Sequence, residues 1–345
     1  MSYFVFDLDE TLAELYSVYP FLATLKLQDT VAASHIRSIR RVPSWLQWEL
    51  DKAYTHFVRR VWEEETSNQP LGILRPGILD LMEQIRDVKE KGIIRDVAIY
   101  SNNGHLDSLH FVRDVIHYHL GGTSLISDCI HWHHPARGEE RITIPGFPTK
   151  TWPILRRILT APPCHAPQTL QPKDVHFFDD QDHWELKRVL QANYHQIQPS
   201  YDFKASAERI AAIFKESIKE AKVSQDAIKE LQEYVTILFT DEEHPVFISY
   251  NHELESITYV LKERAPGTVD PTVIPFFSDE GMVQMERVLS SLYDSYQDEH
   301  HKRRRANPKR GRRRGTSKHG AGAGAGGGVR RRRNSYKNRK RRRFA

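Results

Sequence analysis

The sequence predicts an α/β fold, a parallel sheet flanked by helices. Three stretches carry that expectation. Tyr3-Phe4-Val5-Phe6 is a short apolar, aromatic and β-branched run that reads as a buried strand. Asp96-Val97-Ala98-Ile99-Tyr100 and Val175-His176-Phe177-Phe178 repeat the pattern. Each run ends in a polar loop followed by helical periodicity, the order that builds parallel sheets with crossovers.

The elements follow in order. After Leu12 the chain turns helical. Leu46, Leu50, Tyr54, Phe57 and Val61 recur every three or four residues, with Trp45, Trp48 and Trp62 alongside, and predict one amphipathic helix started by Pro43. A shorter helix through Ile36 and Ile39 precedes it. Arg37, Arg40, Arg41, Arg59 and Arg60 in this segment read as solvated face, with contact to an anionic substrate as the rival reading. Leu74-Arg75-Pro76-Gly77 opens the next helix, buried through Ile78, Leu81, Met82, Ile85 and Val88 and stopped by Gly92. The strand ending at Tyr100 runs into Ser101-Asn102-Asn103-Gly104, and a helix from Leu106 to Leu120 follows. A strand is expected within 125–132 and an edge strand at 141–144. Lys150 precedes a helix through Ile154, Leu155 and Ile158. Beyond the strand ending at Asp179 come a helix through Leu186 and Leu190, and a last strand at 193–197. Residues 1–200 therefore read as one domain. Residues 201–301 read as a mainly helical extension, either an accessory region or packing that finishes the core, with a possible strand at 246–250.

The totals narrow the function classes. The chain has 345 residues, enough for a real core. Two cysteines, Cys129 and Cys164, make neither a disulfide framework nor a zinc quartet, and a reducing, intracellular compartment is expected. No apolar stretch is long enough for a membrane span, and no signal peptide is visible. Of 50 Lys and Arg, 20 lie in residues 302–345, which hold no Asp or Glu; the remaining 30 face 45 acidic residues. An acidic body thus carries a very basic tail, broken by a Gly/Ala spacer at 320–328. The tail cannot bury a core and is expected to be disordered. Its expected partner is nucleic acid or another polyanion, with little sequence preference, or it is a nuclear localisation signal. Nuclear, nucleic-acid-associated or virion residence would follow. Ser317 and Ser335 sit among arginines, as sites for basic-directed kinases do.

The candidate site residues stand at strand ends. Asp7 and Asp9 follow the first strand directly. Two carboxylates there repel one another and resist desolvation, and a bound cation offsets both effects. The carboxyl ends of parallel strands are also where an open α/β sheet binds ligands. Ser101, Lys150 and the pair Asp179/Asp180 occupy corresponding places. Singly, each has a plainer reading: Thr11 and Ser101 as helix caps, Lys150 as surface, Asp179-Asp180 as a capping pair. The run His131-Trp132-His133-His134 near Cys129 matches no standard zinc spacing.

Taken together, Asp7/Asp9, Ser101, Lys150 and Asp179/Asp180 closely resemble the four motifs of the haloacid dehalogenase (HAD) superfamily of phosphohydrolases. Asp7-Leu8-Asp9-Glu10-Thr11 matches that family's D-x-D-x-T motif, and the likeness covers residues 3–195. The string Asp-Leu-Asp-Glu-Thr-Leu, with Leu74-Arg75-Pro76, is similar to the branch that dephosphorylates the carboxy-terminal domain of RNA polymerase II. Asp179-Asp180-Gln181 is instead the general form of the superfamily, where that branch usually carries Asp-Asn. The resemblance implies a HAD-like Rossmannoid sheet with 13–72 as a helical cap. It also implies a Mg²⁺-dependent phosphatase acting on a phosphoprotein, a nucleotide or a nucleic-acid end. Asp7 would be the nucleophile and Asp9 the acid and base. Ser101 would bind a phosphoryl oxygen, and Lys150 would neutralise another, with Lys173 as a rival lysine. Asp7, the backbone carbonyl of Asp9 and Asp179 would hold Mg²⁺, and Asp180 would orient its waters. The competing function is a nucleic-acid-binding or packaging protein with a silent scaffold and a working tail.

Overall fold

The computed structural model describes residues 2–33, 41–135, 137, 150–199, 206–239, 253–265 and 280–306. Its centre is a five-stranded parallel sheet: β1 (Ser2–Phe6), β2 (Ile94–Tyr100), β3 (Ile126–Ile130), β4 (Val175–Asp179) and β5 (Tyr194–Gln196), in the order β3-β2-β1-β4-β5. β1 is apolar along its length because both of its faces are covered. Phe4 and Phe6 face one core, where Phe6 stacks on Phe178 at 4.7 Å between ring centres. Tyr3 and Val5 face the other, with Tyr100, Phe177 and the helices α6 (Trp152–Thr160) and α7 (Trp184–Leu190).

The larger core lies under α1 (Tyr19–Leu25), α2 (Leu27–Ala33), α3 (Ser44–Glu65), α4 (Ile78–Glu90) and α5 (Leu106–His119), joined by α8 (Ala207–Glu220), α9 (Gln225–Phe239), α10 (Glu253–Arg264) and α11 (Glu280–Ala306). The helices of 13–72 and those beyond 206 share one apolar interior. Phe21 meets Phe214 at 5.6 Å, and the Leu46–Val61 stripe of α3 is buried. Arg59 and Arg60 do not reach the strand ends. Both grip Glu220 of α8, at 2.5 and 2.9 Å, and fasten α3 to it. Trp45 and Trp48 lie off the stripe, 46% and 64% exposed. Residues 1–297 make one compact unit; the second, 298–345, is described only to Ala306, as helix.

One helix starts later than its sequence suggests. Leu74 pairs antiparallel with Ala13, the Arg75 amide donates to the Leu12 carbonyl at 2.9 Å, and α4 begins only at Ile78. Gly77 makes the turn with φ +81°, a backbone state that a side chain would strain. The Glu65 carboxylate at the end of α3 accepts from the Ile73 amide at 2.7 Å and holds this pairing in place. The expected strands at 141–144 and 246–250, the helix through Ile36 and Ile39, Arg37 and Arg40, and the tail beyond Ala306 lie outside the described residues. No helix among the described residues is long and apolar enough to cross a membrane.

Candidate active site

Register sets the site. Phe6 pairs with Ile99 on one side and Phe178 on the other, so the three central strands end level. The Asp7 amide extends the ladder to the Phe178 carbonyl at 2.8 Å. Asp7, Ser101 and Asp179 therefore emerge at the same edge, and all three are buried. The order of strands reverses at β1, the place where an open α/β sheet leaves a crevice for ligand.

Lys150 closes the arrangement from the start of α6. Its Nζ lies 2.5 Å from Asp7 Oδ1 and 2.7 Å from Asp179 Oδ2, and the whole side chain is buried. Burial alone would lower its pKa, but the two carboxylates outweigh that and hold it above the usual lysine value. Lys173, the rival, is exposed in the turn ahead of β4, at the opposite end of that strand.

The four acidic residues differ in environment. Burial pushes Asp7 up, opposed by Lys150 and assisted by Asp179. Burial acts on Asp179 in the same direction, but Lys150 and His183, whose Nε2 is 3.3 Å away, hold it below the usual range. Asp180 is raised to about 7 by burial and by Asp7 and Asp179. Its amide donates to Thr11 Oγ1 at 3.2 Å, and that hydroxyl returns a bond to its carboxylate at 3.2 Å. Asp9 is also raised to about 7, by burial and then by Asp7.

One oxygen from each of Asp7, Asp179 and Asp180 lies within 4.8 Å of the others. An all-carboxylate donor set of this size fits a hard divalent cation such as Mg²⁺. The Asp9 carboxylate stands outside this trio and faces Asn103 instead, with Nδ2 at 3.3 and 3.2 Å from its two oxygens. The His131–His134 run adds no ligand group among the described residues. His131 packs edge-on against His133 and His134, and burial lowers its pKa to about 4.

Ser101 is held from two directions. Its amide donates to the Ile130 carbonyl at 2.9 Å, and its own carbonyl accepts from Arg137 at 2.9 Å. Arg137 also reaches Asn102 Oδ1 at 2.8 Å and lies over the rings of Tyr100 and Trp132. Sequence reasoning does not find Arg137, Asn103 or His183. Arg137 and His183 lie in loops without periodicity, and nothing local says that they face the strand ends. Asn103 has one signal, its place two residues after Ser101 at the end of a strand. Compared with protein families, curated proteins and solved structures, the chain matches none.

The electrostatics give a testable pH dependence. Asp9, Asp180, Glu65 and Asp107 are each raised to about 7, all principally by burial. Their contribution to stability is fully present below their unfolded values of about 4 and is lost as pH rises through 7. Buried histidines act in the opposite sense: burial lowers His131, His176 and His195 to about 4, which favours folding as pH rises to their unfolded value of about 6.5 and little beyond it. Without divalent metal, the melting temperature is therefore expected to fall between about pH 6.5 and pH 8, where the carboxyls dominate. Added Mg²⁺ should raise it more at pH 8, because the ligands must be deprotonated to bind. Thermal unfolding at both values, with and without Mg²⁺, checks this. An equal Mg²⁺ gain at the two pH values would contradict it.

Proposed function

We propose that this chain is a Mg²⁺-dependent phosphoric monoester hydrolase of the haloacid dehalogenase type. In this reading it works through an aspartyl-phosphate on Asp7. One observation carries the proposal: a single buried lysine bridges carboxylates from two neighbouring strand ends, with a third carboxylate close enough to share a cation. A structural ion pair needs one carboxylate, and a third half-buried beside it is costly unless a cation offsets its charge.

Asp7 attacks phosphorus, the bond to the leaving oxygen breaks, and Asp9 gives that oxygen a proton. Water then attacks the phosphoryl group on Asp7, Asp9 takes the proton, and phosphate leaves. A carboxyl raised to about 7 suits both of Asp9's tasks near neutral pH. Lys150 fixes the attacking carboxylate and neutralises charge, and Ser101 binds a phosphoryl oxygen. Mg²⁺, held by Asp7, Asp179 and Asp180, would supply further positive charge to the phosphoryl oxygens when bound. The substrate is a phosphoprotein, a nucleotide or a nucleic-acid end. Hydrolysis of an aryl phosphate by the purified protein, with and without Mg²⁺, tests the reading; no turnover in either condition would count against it.

The tail supports a second activity beside the first. Its 20 basic residues without a single acid favour binding of nucleic acid through phosphate contacts, and nuclear residence with it. Affinity for random-sequence DNA is expected to fall steeply between low and physiological salt, and to vanish on deletion of residues 302–345. Aryl phosphate turnover should survive that truncation. A filter-binding salt titration on both forms measures it, and salt-independent binding would defeat the idea.

A further inference from the structure

We infer that Asn103 positions Asp9 for proton transfer to the leaving group, an inference that rests on the phosphatase reading above. The two residues come from different strand-end loops, 94 positions apart, and meet across the mouth of the site. Asn103 Nδ2 lies 3.3 and 3.2 Å from the two oxygens of Asp9. Among the described residues no other side chain donates to that carboxylate.

The amide is itself held at three points. Its Oδ1 accepts from the His105 amide at 2.7 Å, its backbone N–H donates to Ser101 Oγ at 3.1 Å, and its carbonyl accepts from the Trp132 amide at 2.9 Å. Because Oδ1 is committed to His105, the side chain cannot flip without losing that bond, and Nδ2 is aimed at Asp9 before substrate arrives. Both oxygens of Asp9 lie in reach of Nδ2, so the amide fixes where the whole carboxyl group stands. From that place Asp9 gives its proton to the leaving oxygen as the bond from phosphorus to that oxygen breaks and Asp7 takes the phosphoryl group. Asn103 touches neither phosphorus nor the leaving oxygen and acts only through Asp9.

The experiment is a leaving-group series. kcat/KM reports the steps through departure of the leaving group, so it isolates the first half-reaction. For Asn103→Ala, kcat/KM is expected to fall roughly 10–100-fold on phenyl phosphate and on an alkyl phosphate, which need a proton. On dinitrophenyl phosphate, whose leaving group departs without one, the fall should be no more than about 3-fold. Asn103→Asp separates positioning from loop structure. It keeps the acceptor for the His105 amide and removes the donor to Asp9, so it should be at least as impaired as Asn103→Ala on the poor leaving groups. Equal losses across the series, or Asn103→Asp at wild-type activity, would overturn the inference and leave the phosphatase reading standing. Absence of turnover by the wild-type protein on every ester would overturn both.

Discussion

Asp7→Asn is expected to cost at least about 10⁴-fold in kcat/KM on any phosphate ester, while the protein stays folded. Loss of a nucleophile removes the covalent route entirely, and losses of that order are typical for a residue that acts as part of a catalytic unit. The fold survives for a reason visible in the site. Asparagine has the shape of aspartate, and its amide oxygen can still accept from Lys150, which keeps its second partner Asp179 at 2.7 Å. The substitution also removes one of several carboxylates that crowd a buried space, where burial already pushes Asp7 up. Stability should therefore be unchanged or slightly higher in metal-free buffer. Steady-state rates beside thermal unfolding make the comparison. A folded Asp7→Asn protein with wild-type turnover would remove Asp7 from the chemistry and overturn the aspartyl-phosphate route.

Lys150→Met should be the most destabilising single change in the site. The side chain is buried, and it is the ammonium shared by Asp7 and Asp179. Methionine fills the volume but leaves two buried carboxylates facing one another. Removing one partner from a buried ion pair typically costs about 3–5 kcal/mol, because the remaining charge stays desolvated. For a chain of 345 residues that corresponds to roughly 4–7 °C in melting temperature. The double variant Lys150→Met/Asp7→Asn should recover part of the loss, since one carboxylate fewer is stranded. Mg²⁺ should recover part of it too. Lys150→Met melting with the wild type in metal-free buffer would mean that the lysine is not the counter-charge its position indicates.

How much of this was legible in advance varies by element. β1, β2 and β4 are readable because each is a continuous apolar run that ends abruptly in polar residues, and a strand buried on both faces has no other pattern. The stripe of α3 is readable by its spacing. Trp45 and Trp48 show the limit: large aromatics suggest burial, yet both fall off the stripe that faces the core. Leu74-Arg75-Pro76 shows another. Pro before an apolar period looks like a helix start, but the Ala13–Leu74 pairing takes those residues first and delays the helix to Ile78.

For the candidate site, the carboxylates, Ser101 and Lys150 could be singled out from one dimension. Charge placed directly after a buried strand is costly wherever the chain goes next. Lys150 against Lys173 could not be resolved that way, because a lysine ahead of a helix or a strand reads the same until the sheet says which end it occupies. Only the tertiary structure put Lys150 within 2.5 and 2.7 Å of its carboxylates and brought Asn103 across to Asp9. Which segments must be buried, and which charges must then sit at their ends, follows from local transfer energies and can be read along the chain. Which of those charges meet is settled by strand order and register, and these are properties of segments far apart in the chain.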